Sequence, residues 1–364
     1  MMDKNNYCII MAGGVGARFW PMSRTDHPKQ FIDILGTGRT LVQQTVARFR
    51  KICPAENIFI VTNEIYRDLV KTQIPEIPDN NIVLEPAMRN TAPCIAYANY
   101  KINQINPDAK IVVAPSDHLI MNEEVFIKNI QSALDAVNDN DWLVTLGIKP
   151  TRPDTGYGYI QYDDQQKDNG NPSISKVKTF TEKPDAELAR KFLESGDFLW
   201  NAGIFIWSLR SIMKAFEEHL DDVNDLFREG EGKYNTPQEQ PFIREIYASC
   251  RKISIDYGIM EKAANVYVLG ADFDWSDLGT WGSLYDIRKK DENKNALSGD
   301  GVLLYDTKNC IVSMPDDKLV VLQGLDDYIV VERDNVLLVC RKADEQQIRT
   351  FVNDIKNNKG EQYI

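Results

Sequence analysis

Short apolar runs, each closed off by Gly, Pro, Asn or Asp, recur through the first 150 positions of the 364-residue chain. Those at 7–12, 58–62, 82–84, 111–114 and 143–147 are too short for buried helices and predict buried strands. Longer amphipathic stretches lie between them. One spans 41–52, with Leu41, Val42, Thr45, Val46 and Phe49 on one face, and another ends at 131–137. Strands alternating with helices predict an α/β fold, a mostly parallel sheet covered on both faces. Ligands of such sheets bind where the chain leaves the carboxyl ends of the strands, so the segments just past each run are where chemistry is sought.

The pattern then changes. Positions 157–162 and 174–180 alternate around the polar run DDQQKDNGN, which predicts a hairpin excursion. A helix is predicted over 186–194, a strand over 203–207, and helices around 212–219 and 242–248. The polar stretch KKDENKNALSGDG, 289–301, marks a boundary between a domain over 1–288 and one over 289–364. Beyond it, apolar runs at 302–305, 310–313, 319–322, 328–331 and 336–340 predict stacked short strands, a small β-helix-like appendage closed by a polar helix near 345–356.

Charge narrows the class. Lys and Arg total 42 against 54 Asp and Glu, a net charge of −12 that repels polyanions and argues against general nucleic-acid or anionic-membrane binding. It leaves room for a small anion in a locally basic cleft. The six cysteines have no CxxC spacing and mostly apolar neighbours, as buried free thiols do. Three histidines are too few for a His-rich zinc site and make a Ser-His-Asp hydrolase improbable. No stretch has the length and apolarity of a membrane span, and the N-terminal residues lack a basic region leading into a long apolar one. A cytoplasmic location is expected.

The first run leads into Ala12 and then Gly13-Gly14-Val15-Gly16-Ala17-Arg18. Glycines straight after a buried strand let backbone N–H groups approach a phosphate. A dinucleotide fingerprint needs a small residue where Phe19 stands, and a P-loop needs Gly-Lys-Ser/Thr, which is absent. The chain continues Trp20-Pro21-Met22-Ser23-Arg24 and His27-Pro28-Lys29-Gln30-Phe31. Arg18 offers a bidentate fork and Lys29 a point charge, the two usual ways of holding phosphate oxygens. Two carboxylates follow. Asp117, in Pro115-Ser116-Asp117-His118, stands past a predicted strand, where a carboxylate can hold Mg²⁺ against a phosphate, and Asp277 stands in Trp275-Ser276-Asp277-Leu278-Gly279-Thr280-Trp281. Each alone also suits a helix cap or a solvated side chain.

The stretch GGVGARFWPMSRTDHPKQF resembles the signature of sugar-phosphate nucleotidyltransferases, and its WPMSR and PKQF details are similar to those of mannose-1-phosphate guanylyltransferases. The resemblance extends from about Tyr7 to Trp281. It implies a Rossmann-like, GT-A-like catalytic domain over 1–288 and a left-handed β-helix-like domain over 289–364. The implied reaction is GTP with α-D-mannose 1-phosphate, giving GDP-mannose and pyrophosphate. It further implies that Ala12, Gly13, Gly14 and Gly16 bind the nucleotide, with Glu85, Asn90 and Thr91 of the EPAMRNTAP segment lining its pocket. Arg18, Lys29 and Lys183 are the implied catalytic cations. Gly158 of YGYI, Glu182 and Lys183 of FTEKP, and Asn201 of WNAG are the implied sugar-phosphate contacts. Asp117 and Asp277 are the implied ligands of Mg²⁺, and a homodimer through the appendage is the implied assembly. The segment Ser254–Glu261, SIDYGIME, matches a further motif that suits a structural edge of the pocket equally well. Another sugar 1-phosphate, or a non-catalytic nucleotide-sugar sensor of the same fold, are the alternatives. The sensor would have lost Arg18, Lys29 or an Asp, and all four are present.

Overall fold

The structure is a computed structural model that describes residues 3–167 and 174–364. The tip of the expected hairpin, from 168 to 173, lies outside the described residues. Two compact units are present, and the sequence interleaves them. One comprises Met1–Gly13, Thr45–Ser116 and Ile120–Trp275, and the other Gly14–Gln44, Asp117–Leu119 and Ser276–Ile364.

The first unit is built on a nine-stranded sheet. Its strands are β1 (Asn6–Met11), β2 (Ile58–Asn63), β3 (Ile82–Glu85), β4 (Lys110–Pro115), β5 (Leu143–Ile148), β6 (Tyr159–Lys167), β7 (Ile174–Thr181), β8 (Phe198–Ser208) and β9 (Val266–Ala271). They lie in the order β3-β2-β1-β4-β8-β5-β9-β7-β6, with β8 also pairing with β6. β3, β2, β1 and β4 run parallel, as do β5 and β9, while β8 enters antiparallel between β4 and β5. The central strands are buried on both faces, which is why they read as unbroken apolar runs in the sequence. Ile9, Phe59 and Val113 pack with Ile95, Tyr97 and Ile102 of the helix Thr91–Asn103 in one large core. A buried Lys101–Glu239 ion pair at 2.6 Å ties that helix to the helix Glu239–Ser249.

Two differences from the sequence reading bear on function. The strand expected over 203–207 begins at Phe198, because Trp200 pairs with Ile148 on one side and Tyr159 on the other. The WNAG residues are therefore inside a strand, not ahead of one. β9 was not anticipated, and it pairs in parallel with β5.

The second unit centres on a coil of short strands. Ala296–Ser298, Ile311–Ser313 and Tyr328–Arg333 stack in parallel, as do Val302–Tyr305 and Val320–Gln323, and Val336–Arg341 closes the coil antiparallel. The helix Ile348–Lys359 follows. Residues 14–44 pack into the same core: Phe19, Trp20, Ile32 and Leu41 are buried with Trp281, Ile311, Ile329 and Ile348. All six cysteines are free, five of them buried. No helix among the described residues is long and apolar enough to cross a membrane.

Candidate functional site

In the second unit the expected phosphate loop closes on Lys29. Gly16 has φ 73°, and a Cβ there would stand 2.5 Å from that of Lys29, so only glycine fits. Gly16 O accepts from Ser23 Oγ at 2.7 Å, and Lys29 N donates to Val15 O at 3.2 Å. A Cβ on Gly14 would meet nothing within 4 Å, which leaves the backbone there open to approach. Phe19, the residue that argued against a dinucleotide fold, is buried with its ring 5.3 Å from that of Trp281.

Lys29 is 3% exposed, and its ammonium donates to Asp117 Oδ2 at 2.8 Å, to Asp277 O at 3.0 Å and to Leu278 O at 2.8 Å. An ammonium has three N–H groups, and all are used. Lys29 thus joins the two segments that carry the expected metal carboxylates, holding Asp117 by its carboxyl and Asp277 by its main-chain carbonyl. Burial pushes the Asp117 carboxyl up, but the charges of Lys29 and His118 outweigh it and hold Asp117 below the usual carboxylate value. Asp277 Oδ1 accepts from Gly279 N at 2.9 Å, across Leu278 at φ 45°. A left-handed leucine is a genuine outlier and marks a turn that the surrounding packing enforces. Two carboxylates on separate segments suit Mg²⁺, which is commonly bound by one or two carboxylates plus substrate phosphates, so the donor set fits that ion. No cage of three or more metal-binding side chains occurs among the described residues.

Arg18 is half-buried and has no hydrogen bond or ion pair among the described residues. Burial, and then the Arg18 charge, lower the Arg349 guanidinium on the closing helix below its usual value. Two guanidinium groups within electrostatic reach of each other form an anion-attracting locus. The sequence reading did not single out Arg349, whose helix looks like any solvated one.

The first unit holds the remaining residues. Ala12 has its N–H on Val61 O at 2.7 Å and its carbonyl on Thr62 Oγ1 at 2.8 Å, so its backbone is engaged in the sheet. A Cβ on Gly13 would stand 3.8 Å from Glu85 Oε2, which places this glycine against the carboxyl at the end of β3. Glu85 is 5% exposed and accepts from Tyr247 Oη at 3.0 Å; burial pushes it up to about 8. Tyr247 is a functional candidate invisible in the sequence, where it falls on the apolar face of an ordinary helix. Asn90, at φ 72°, caps the helix that follows by accepting from Thr91 N at 2.9 Å, and Thr91 Oγ1 accepts from Ile255 N at 2.9 Å.

Gly158, Glu182, Lys183 and Asn201 come together. A Cβ on Gly158 would fall 2.5 Å from Glu182 Oε2, so a side chain there would push the end of the glutamate aside. Lys183, at φ 48°, ion-pairs with Glu182 through Oε1. Asn201 Oδ1 accepts from Thr145 Oγ1 at 2.9 Å and from Gly203 N at 3.1 Å, and its Nδ2 donates to Asp256 Oδ1 at 2.9 Å. Burial, then the Glu182 charge, raise Asp256 to about 7. Asp256 opens a π-helical turn, Asp256–Met260, in the SIDYGIME segment, which in the sequence suits a further family motif and a structural edge of the pocket equally.

A family model described as Nucleotidyl transferase matches residues 7–294, and one described as MannoseP isomerase/GMP-like beta-helix domain matches residues 300–355. Proteins named mannose-1-phosphate guanylyltransferase from Klebsiella pneumoniae and Escherichia coli are each 35% identical over 358 residues, covering 98% of this chain and 75% of their own length. A solved structure described as mannose-1-phosphate geranyltransferase from Thermus thermophilus matches with a TM-score of 0.86 at 29% identity, covering 97% of this chain and 99% of that one. A Helicobacter pylori structure described as mannose-6-phosphate isomerase shares the fold, with a TM-score of 0.59 at 24% identity over 75% of this chain and 99% of that one.

Proposed function

The chain belongs to the nucleotidyl transferase family, and from that premise we propose that it transfers GMP from GTP to α-D-mannose 1-phosphate, releasing pyrophosphate. The observation that carries this reading is the placement of its motifs. The carboxyl ends of β1, β3 and β4 lead straight into the glycine loop, the EPAMRNTAP segment and the Ser116-Asp117 pair, as ligand-binding segments do in α/β sheets. Guanine offers N–H donors on its pairing edge, including the amino group that adenine lacks there, and buried Glu85 beside Gly13 supplies the matching acceptor.

The nucleophile is an oxygen of the sugar phosphate, already ionised at neutral pH, so no general base is required. Positioning and charge neutralisation carry the catalysis. Arg18, joined by Arg349, attracts the triphosphate and steadies the departing pyrophosphate. Lys29 sets Asp117 and Asp277, and Lys183 takes the sugar phosphate. Asp117 and Asp277 would hold Mg²⁺, which neutralises phosphate charge when bound. The same reading takes 1–288 as the catalytic part and 289–364 as the coil, supported by the edges of the family matches at 294 and 300. It places the enzyme in the cytoplasm. It also takes the enzyme as a homodimer, supported by Leu303, Tyr305, Leu319 and Val321, which are 48–75% exposed on the coil. Sedimentation at micromolar concentration giving a monomer removes that last part.

The test is pyrophosphate release with Mg²⁺, crossing four nucleoside triphosphates with mannose, glucose and heptose 1-phosphates. Fast release with GTP and mannose 1-phosphate alone is the expected result. Release with another pair discards the base or sugar assignment. Nucleotide binding without release from any pair makes the protein a sensor.

A further inference from the structure

Asn201 has little left to offer a ligand. Both lone pairs of its amide oxygen are taken by Thr145 Oγ1 and Gly203 N, and one of its two N–H groups goes to Asp256. A single N–H remains. The group it presents is the Asp256 carboxyl, which is only half-buried.

Asp256 is no loose surface acid. Ile253 N donates to Arg89 O at 3.1 Å and Ala92 N to Ile253 O at 3.1 Å, while Ile255 N donates to Thr91 Oγ1 at 2.9 Å. From the other side, Glu182 N donates to Glu261 Oε1 at 3.2 Å. The segment is thus pinned to the EPAMRNTAP stretch and to the FTEKP stretch, with Asp256 on the turn between the two anchors. Glu182, whose side chain is 9% exposed, lies close enough for its charge to act on Asp256. Glu182, neutralised by Lys183, and Asn201 stand beside Gly158, and the Asn201 amide carries Asp256 on its Nδ2 at 2.9 Å. Two acids within electrostatic reach each make the other harder to ionise. A ring hydroxyl, donor and acceptor at once, suits such a pair.

We propose that Asp256 is a specificity-determining residue for the sugar phosphate: positioned by Asn201 and set against Glu182, its carboxyl exchanges hydrogen bonds with a ring hydroxyl of the hexose. This rests on the reading of the protein as a hexose-1-phosphate nucleotidyltransferase. Asn201 then acts mainly through Asp256. A site built to bond a hydroxyl strongly rejects the analogue that lacks it, since its buried polar group is left without a partner.

The experiment compares kcat and KM for mannose 1-phosphate and its 2-, 3-, 4- and 6-deoxy analogues in the parent, Asp256→Asn and Asp256→Ala. Asp256→Asn keeps an acceptor for Asn201 Nδ2 and carries the test if Asp256→Ala does not fold. In the parent, one analogue should lose about tenfold to a hundredfold in kcat/KM relative to mannose 1-phosphate. In Asp256→Asn that gap should collapse, with KM for mannose 1-phosphate raised and KM for GTP within about twofold of the parent. Parent-like discrimination at every position, or an equal rise in both KM values, overturns the inference while the functional reading stands. No turnover of any hexose 1-phosphate by the parent overturns both.

Discussion

Asp117 of the coil unit and the pair Glu85 and Asp256 of the sheet unit are shifted in opposite directions. In the coil unit, Asp117 is kept ionised by a buried ammonium whose every N–H is committed, and Arg18 and Arg349 bring further full charges. In the sheet unit, Glu85 is buried and Asp256 half-buried, and desolvation pushes them up to about 8 and about 7. The contrast follows the ligands each set is read to meet. Triphosphate and metal are highly charged, and only ions of fixed charge balance them. A purine edge and a hexose ring are neutral, and carboxyls whose ionisation burial has made costly can take up their N–H and O–H donors, ionising as the ligand arrives.

The comparison breaks most visibly at Lys29. Lys29→Ala, and separately Asp277→Ala, should each lower turnover by ~10²–10³ or more while far-ultraviolet circular dichroism stays native. Pyrophosphate release within twofold of the parent would refute the assigned role. A second prediction concerns pH. The N–H donors of guanine favour ionised Glu85, so binding of the base releases a proton below about pH 8. Affinity for guanosine should therefore rise with pH from 6 to 8, by at most roughly tenfold per unit, and Glu85→Gln should flatten the rise. Titration calorimetry across that range decides; a flat parent profile means the carboxyl is not the base contact. The same raised values make Glu85 and Asp256 bind more protons in the folded protein than in the unfolded chain. The stability these two groups contribute should be greatest below the ordinary carboxylate range and fall as pH climbs through 7 and 8, readable as a drop in protection factor, exchange being referred to the unfolded chain at the same pH, in β3 and its neighbours. A smaller effect belongs to Gly16→Ala, which adds a Cβ against Lys29 at a left-handed position and should cost about 1–3 kcal/mol in urea unfolding. Smallest is Arg349→Ala. A loss of severalfold in GTP affinity at low salt that vanishes at high salt is expected from a long-range charge, and a salt-independent loss would point to packing instead.

Much of this was legible in the letters. The first five strands are short apolar runs because strands buried on both faces leave no other pattern, the coil strands Val302–Tyr305, Val320–Gln323 and Val336–Arg341 are apolar runs with alternate residues exposed, and the resemblance named Gly16, Lys29, Glu182 and Asn201 as candidates. The partnerships were not legible. Lys29 meets carbonyls some 250 residues away, at Asp277 and Leu278, and nothing local announces that its charge will be spent there. Asp256 does not stand out in the sequence, because SIDYGIME suits a structural edge of the pocket as well as a ligand contact, and the π-helical turn that exposes its carboxyl has no sequence periodicity of its own. Trp200 and Asn201 read as a lead-in since Asn and Gly weaken a strand pattern, yet pairing on both sides overrides that preference.

The packing of residues 14–44 with the coil sets a timetable for synthesis. Trp20 Nε1 donates to Tyr363 O at 2.7 Å across 343 positions, and the floor beneath Phe19 is Trp281. At ~5–20 residues per second, a ribosome that has released the loop needs on the order of tens of seconds more to deliver those partners. The strands of the sheet all emerge before the coil does. A chain interrupted inside the coil can therefore own a finished sheet and still lack a seated phosphate loop, so competence waits for Trp281 and Tyr363.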